Sequence, residues 1–343
     1  MALGLKKTPA SRYTFRISVT NNCNLNCVYC NPLRKTDVAK NLSDDEIVSI
    51  LKAAYEAGLR NITWTGGEPT SRIHFTEIVS KAKEIGYKNQ HITTNGIVYY
   101  LLADKLKEAG ITRVNFSLDT LDREQFKKLC GMDGLDKVLK SIKKAVDIYG
   151  ESKINSVIIQ SNFNSIEKLI KFTESFNGKL TTRFLELVPC GSKYVENPTY
   201  FSNELLPIYE IVSYLAQKGK LILQKNTGNV PGSIYYKIEG MKGIYGVNPS
   251  YSNNYLCTKE KCNKIRMNPE GYVSNCTIQL KYTRNLQGKS YKEKVKLMKE
   301  IIVEKQNRDY TNFKHKQRFY DFWRFAIHSK EVDKILKQKE TIN

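Results

Sequence analysis

The sequence predicts an α/β protein built on a parallel sheet with strands and helices in alternation. Three observations predict it. Six strand-like runs alternate with amphipathic helical runs between residues 16 and 188. Gly58, Gly86 and Gly110 follow three of the helical runs, where a left-handed residue closes a helix. The residues that carry chemistry fall at or after strand C-termini, where such sheets bind their ligands.

Taken in order, Arg16-Ile-Ser-Val-Thr20 alternates polar and apolar residues and reads as the first strand. Ser43-Asp-Asp-Glu46 is a capping box that opens a helix with Ile47, Ile50, Leu51 and Ala54 on one face. A strand over 60–64 leads into Gly66-Gly67. A helix over 74–85, a strand His91–Thr94, a helix over 98–109 and a strand Thr112–Ser117 follow. Helix 135–149, strand 153–159, helix 165–176 and strand 181–188 complete the run. Parallel strands joined this way cross over right-handed. Periodicity alone fits a partial barrel, a closed eight-unit barrel or an open doubly wound sheet. After Gly191 the alternation fails. Residues 192–256 read as loops, glycine-rich polar segments and one helical stretch, Glu204–Lys218. The expected organisation is a core over 1–191 and a C-terminal appendage over 192–343, packed at the mouth of the sheet.

A chain of 343 residues can bury a large core. No stretch approaches the ~20 apolar residues of a membrane span, and Met1-Ala-Leu-Gly-Leu-Lys-Lys7 has no signal-like apolar segment. With 55 basic and 34 acidic residues the formal charge is +21, which favours anionic partners. Much of that excess lies after Lys281, as in Lys314-His-Lys-Gln-Arg318. Eight cysteines in so long a chain are not a disulfide framework. Six fall into two triads, which is metal usage in a reducing, cytoplasmic compartment.

The first triad is Cys23-x3-Cys27-x2-Cys30. Three clustered thiolates fit a four-iron cluster with one iron left open, or a zinc ion completed by water. Thr65-Gly66-Gly67-Glu68-Pro69 follows the second strand, and its paired glycines let the backbone approach a ligand closely. The second triad is Cys257-x4-Cys262-x13-Cys276, with Gly271-Tyr-Val placed to turn a hairpin that returns Cys276 to the others. Zinc closed by His315 or His328 is the alternative there. Cys190 reads as a small buried hydrophobe or a hydrogen donor.

The cysteine loop and the Gly-Gly-Glu-Pro segment together resemble the radical S-adenosylmethionine (SAM) superfamily. The resemblance implies a partial (βα)6 TIM-like barrel with a C-terminal auxiliary iron–sulfur region. Arg16-Ile-Ser-Val-Thr-Asn-Asn-Cys23, Thr93-Thr-Asn-Gly96, Val114-Asn-Phe-Ser-Leu-Asp119, Gly134-Leu-Asp-Lys-Val138, Arg183-Phe-Leu-Glu186 and Cys262-Asn-Lys-Ile-Arg266 narrow it. Over roughly residues 10–280 the chain is similar to the GTP cyclases that start molybdenum-cofactor biosynthesis. That resemblance implies two [4Fe-4S] clusters, one on Cys23, Cys27 and Cys30 and one on Cys257, Cys262 and Cys276. It implies SAM lined by Tyr29, Gly66, Gly67, Glu68, Ser117 and Val188, and a nucleotide held by Arg16, Thr94 (or Thr93), Lys153, Arg183, Lys264 and Arg266. It implies reductive SAM cleavage to a 5′-deoxyadenosyl radical, which abstracts hydrogen from the substrate, and with it an external electron donor. A homodimer is compatible with this scheme, and nucleic acid is not the favoured partner. The departures are Asn61 and Thr63 where the family has basic residues, Val188 for its methionine, a wider Cys257–Cys262 spacing and no glycine pair in Glu340-Thr-Ile-Asn343. They bear on the substrate and leave the radical chemistry untouched. A peptide- or RNA-modifying radical enzyme is the alternative within the superfamily. An iron–sulfur electron carrier or a zinc-bound binding protein is the alternative outside it.

Overall fold

The computed structural model describes residues 9–30, 41–187, 197–224, 233–248, 263–275 and 283–307. Six β–α units run as expected: β1 (Thr14–Ser18), α1 (Asp44–Glu56), β2 (Asn61–Thr65), α2 (Phe75–Ile85), β3 (Asn89–Thr94), α3 (Tyr99–Ala109), β4 (Ile111–Ser117), α4 (Arg123–Cys130), α5 (Leu135–Tyr149), β5 (Ser152–Ile158), α6 (Ser165–Glu174) and β6 (Leu180–Glu186). The first strand begins two residues before its expected start. Ser43 caps α1 by accepting from the Glu46 amide at 3.2 Å. The short α4 went unforeseen, although Asp122 caps it through the Gln125 amide at 3.0 Å and Gly131 ends it at φ +77°. Its Asp-x-x-Gln signature was readable in the sequence.

Residues after 197 form α7 (Pro198–Glu204), α8 (Ile208–Ala216), β7 (Leu221–Leu223), β8 (Ile234–Ile238), β9 (Ile244–Asn248), β10 (Lys264–Met267), β11 (Tyr272–Ser274), β12 (Thr283–Asn285) and α9 (Tyr291–Gln306). The helical stretch expected over Glu204–Lys218 is the shorter α8, because Pro207 keeps the residue before it out of helical conformation and caps the helix, while α7 precedes it unforeseen. The C-terminal strands do more than sit at the mouth. β9 pairs parallel with β6, and β10 pairs parallel with β1. The result is one sheet in the order β12-β11-β10-β1-β2-β3-β4-β5-β6-β9-β8-β7. The physical reason is that β1 and β6 would otherwise leave bare hydrogen-bonding edges. Among the described residues no ladder joins the two ends of this order, so the barrel is partial. The predicted turn at Gly271 is real: β10 and β11 are antiparallel, and Gly271 turns at φ +84°.

Strand alternation separates two faces. Phe15, Ile17, Ile62, Trp64, Ile92, Val114, Phe116, Ile154 and Phe184 are fully buried in the core. The opposite, lumen face carries Arg16, Thr63, His91, Arg113, Lys153 and Arg183, each half-buried. Gln90 is a polar residue on the apolar face, fully buried. Gln90 accepts from Trp64 Nε1 at 3.0 Å and donates to the Val79 carbonyl at 3.2 Å, tying β2, β3 and α2 together. Among the described residues no helix is long and apolar enough to cross a membrane.

Gln90→Leu is expected to lower unfolding free energy by about 1–3 kcal/mol, because the buried Trp64 N–H and Val79 carbonyl lose their partner. Urea denaturation with unchanged slope measures it.

Candidate active site

The cysteine loop leaves the C-terminal end of β1 and is laid against the segment that leaves β2. Val19 N donates to Thr65 O at 2.9 Å, Gly67 N to Thr20 O at 2.7 Å and Glu68 N to Asn22 O at 2.8 Å. A Cβ on Gly66 would lie 2.8 Å from Thr20 O, and one on Gly67 would collide with the Asn22 carbonyl. The glycines therefore permit a close approach, as the sequence suggested, but the partner in the structure is the cysteine loop's own backbone.

Glu68 is 1% exposed. Its carboxylate accepts from Thr70 N at 3.0 Å, Thr70 Oγ1 at 2.6 Å, Thr94 Oγ1 at 2.7 Å and Asn95 N at 2.7 Å. Burial pushes its pKa up, and these donors pull it back down. The side chain is thus a strut between the ends of β2 and β3. Thr94 is equally committed, at 2% exposed with its hydroxyl on Glu68. Its neighbour Thr93 is half-buried on the lumen side and is the better placed of the two threonines for substrate. Beyond Thr94, Asn95 Nδ2 donates to Asn24 Oδ1 at 2.7 Å and approaches Cys23 Sγ at 3.8 Å.

Cys23 and Cys27 are partly buried and Cys30 is exposed. Cys23 Sγ also accepts from the Leu25 amide at 3.4 Å. The far side of the loop is fastened to the end of α4, with Asn26 N on Cys130 O at 2.7 Å and Val28 N on Leu129 O at 2.9 Å. The buried Cys130 thiol hydrogen-bonds Cys27, and that bond, then burial, push its pKa far up. Cys130 is therefore a neutral neighbour of the triad. Among the described residues no three Cys, His, Asp or Glu side chains gather tightly enough for a single metal ion. The donors on this loop are thiols with amide N–H groups aimed at sulfur, the set that suits an iron–sulfur cluster.

Tyr29, between the second and third cysteines, donates its phenol to Asp119 Oδ2, and Val157 N donates to Asp119 Oδ1 at 2.8 Å. Burial raises Asp119 to about 6, against the lowering effect of those two donors. Burial, then the Asp119 charge, lifts the Tyr29 pKa well above its ordinary value. The ring is thereby fixed to the β4–β5 side of the barrel, close in sequence to Ser117, which is exposed at the end of β4.

Lower in the lumen, the expected cations come together. Register pairs Arg16 with Arg266, and Lys264 with Thr14. Burial, then Arg266, then Arg183, brings Arg16 down to about 10. Arg183 donates to Asn155 Oδ1 through Nε at 3.0 Å and Nη2 at 2.6 Å. Lys153 lies over the Tyr235 ring at 5.1 Å and is brought to about 8 by burial, then Arg113 and Arg183. Sequence reasoning missed His91 and Arg113, which share this lumen face. Alternation along β3 and β4 was the signal that could have found them. Val188, Cys190, Cys257, Cys262, Cys276, His315, His328, Lys314–Arg318 and the C-terminal residues lie outside the described residues.

A parallel partial barrel with a thiol triad at its mouth and a cationic lumen defines a radical SAM enzyme, and the comparisons agree. The Radical SAM superfamily model matches residues 17–173. The GTP 3′,8-cyclase of Clostridium perfringens (strain SM101 / Type A) is 35% identical over 319 residues, covering 89% of this chain and 94% of that one. The probable GTP 3′,8-cyclase of Pyrococcus abyssi is 32% identical over 265 residues, covering 77% and 84%. The crystal structure of Streptococcus suis SuiB bound to S-adenosylmethionine superposes at a TM-score of 0.58 and 16% identity, covering 83% of this chain and 64% of SuiB, which speaks to the fold. Within the radical SAM superfamily, the chain belongs to the GTP 3′,8-cyclase family.

Gly67→Ala is expected to unseat the cysteine loop, because the new methyl has no room against Asn22. Iron per chain after anaerobic reconstitution should fall by half or more (on the order of twofold) while the helical circular dichroism is retained. Asn95→Leu should instead retain iron and shift the cluster to a more negative reduction potential, read by spectroscopic titration, as an N–H donor to sulfur is removed.

Proposed function

We propose that the chain binds a guanine nucleoside triphosphate in the lumen and rearranges it by hydrogen abstraction, as a GTP 3′,8-cyclase. The observation that carries this reading is the crowding of half-buried cations on the lumen face, where Arg16 feels Arg266 and Arg183, and Lys153 feels Arg113 and Arg183. Arg16 and Lys153 are both held below their ordinary pKa by burial and by neighbouring positive charge. Cations crowded in this way call for a polyanion to neutralise them. In this reading Arg16, Lys153, Arg183, Lys264 and Arg266 hold the phosphates, and Thr93 offers a hydroxyl above them.

Cys23, Cys27 and Cys30 would hold a [4Fe-4S] cluster, with Tyr29, Gly66, Gly67, Ser117 and Val188 around SAM. When bound, the cluster and SAM supply the one-electron chemistry that removes a hydrogen atom from the substrate. The protein's part is placement. The Asp119 carboxylate fixes the Tyr29 ring, the Glu68 strut fixes the loop, and the arginines set the depth of the nucleotide. A displacement of ~1 Å at the reacting atoms can cost on the order of a hundredfold in rate.

A second [4Fe-4S] cluster on Cys257, Cys262 and Cys276 belongs to the same proposal. The β10–β11 hairpin supports it, since Asn263 and Asn275, the chain neighbours of Cys262 and Cys276, stand at the same end of the hairpin. Because β10 runs parallel to β1, that end is opposite the first cysteine loop, and the cations lie between the two. An external reductant, a cytoplasmic location and a homodimer complete the scheme. A peptide- or RNA-modifying role is not favoured, because cyclases match most of the chain.

Anaerobic incubation with SAM, dithionite and a panel of nucleotides, followed by mass analysis, tests the reading. Conversion of GTP to an isomer of unchanged mass, with one 5′-deoxyadenosine per turnover, is expected. SAM cleavage that no nucleotide alters would overturn it. Arg183→Ala is expected to weaken GTP binding roughly tenfold or more, as a charged hydrogen-bond donor is lost. Uncoupled SAM cleavage and iron content should stay near wild type.

A further inference from the structure

The lumen face carries a row of side chains at one height. Strand register sets Arg266, Arg16, Thr63, His91 and Arg113 side by side on β10, β1, β2, β3 and β4. Positive charge is interrupted at β2, whose residues on this face, Asn61, Thr63 and Thr65, are all neutral. Asn61 is committed elsewhere, to the Ser11 carbonyl at 2.7 Å and the Asn89 side chain at 3.1 Å. On the far side of that gap stands His91. It is half-buried, and its imidazole makes no hydrogen bond to any described residue.

The groups that face His91 are Thr63 from β2, Arg113 from β4 and Lys153 from β5. Glu151 pairs with Arg113 at 3.1 Å and lies well out in solvent. Burial, then Arg113, then Lys153, brings the His91 pKa down to about 4. An imidazole with two cations on its β4–β5 side, and with its hydrogen-bonding capacity unspent, is unfavourably placed unless an anion joins it.

We propose that His91 is a specificity-determining residue that contacts the phosphate chain of the nucleotide, at the height where β2 carries no cation. The inference rests on the nucleotide reading above and deepens it. A phosphate seated among Arg113, Lys153 and His91 screens the two cations and gives the ring an acceptor. The His91 pKa then rises on binding, so binding takes up a proton. Affinity for the triphosphate accordingly strengthens as pH falls from about 8 toward about 6, in the range where histidine titrates. The part of that slope due to His91 is absent for a ligand without phosphates.

The test is anaerobic equilibrium dialysis of reconstituted protein with GTP and with guanosine, at the two ends of that pH range. Wild type is compared with His91→Gln and with the double variant His91→Gln/Thr63→Lys. His91→Gln should weaken GTP roughly tenfold while leaving guanosine unchanged. Its GTP affinity should also vary less with pH than that of wild type. Thr63→Lys, on the adjacent strand in register, should restore most of the lost affinity, which a packing defect would not allow. GTP binding equal to wild type in His91→Gln at both pH values overturns the inference and leaves the nucleotide reading standing. Equal losses for GTP and guanosine, with no recovery in the double variant, also overturn it and make His91 a structural residue. Wild-type protein that binds neither ligand overturns both readings together.

Discussion

The Glu68 carboxylate, buried and satisfied by four donors from three residues, is the constraint on which the mouth of the barrel depends. A carboxylate taken out of water costs several kcal/mol unless its oxygens are fully hydrogen-bonded. Here two of the donors belong to the segment after β2 and two to the end of β3. The ends of the two strands are locked to each other before any ligand arrives. The same segment is joined through Gly67 N and Glu68 N to the backbone of the cysteine loop. From Asn95 the chain of contacts returns to Cys23. The loop that must hold three thiols at fixed spacing is thus fastened by backbone bonds on one side and by α4 on the other.

This arrangement changes the meaning of the Gly-Gly-Glu-Pro motif. In the sequence it reads as a ligand-binding element because glycines allow close approach. In the structure the close approach is spent inside the protein, where Gly67 packs on Asn22 with no space for a side chain. The two readings are compatible at the level of function. A ligand seated on this segment would rest on a surface whose position is set by the cysteine loop, because the two are joined backbone to backbone. Tyr29 extends the same logic across the barrel, because its hydroxyl ties the loop to Asp119 and through it to β5.

The core was legible because helical and strand periods are strong and glycines mark several of the helix ends. Gly86 and Gly110 stand in the left-handed region where the helices were expected to stop. The first cysteine triad and four strand-borne cations, Arg16, Lys153, Arg183 and Arg266, were also legible, and the lumen gathers those cations. What the sequence hid was long-range. Strands β7–β12 are three to five residues long, too short for a clear period, and their place in the sheet is decided by the open edges of β1 and β6. The motif left Thr93 and Thr94 open as substrate contacts, and it does not reveal which of two adjacent threonines faces the lumen. His91 and Arg113 were passed over because alternation puts them on the lumen face without saying what stands beside them. Only register brings them beside Thr63 and Lys153.

The lumen is built in a way that opposes folding by itself. Lys153 at about 8 and Arg16 at about 10 each bind a proton less tightly in the folded chain than in the unfolded one. By linkage, their charges destabilise the native state at neutral pH, and stability recovers as pH rises through the folded pKa toward the unfolded value. A fold that only needed a core would place apolar residues there, as the outer face of the same strands does with Phe15, Ile17, Ile154 and Phe184. The strain is local and points inward, and it is relieved by whatever anion enters. In the proposed reading, binding energy from the phosphates is then available to hold the rest of the nucleotide, while the Glu68 strut and the Asp119–Tyr29 pair have already fixed the geometry of the mouth.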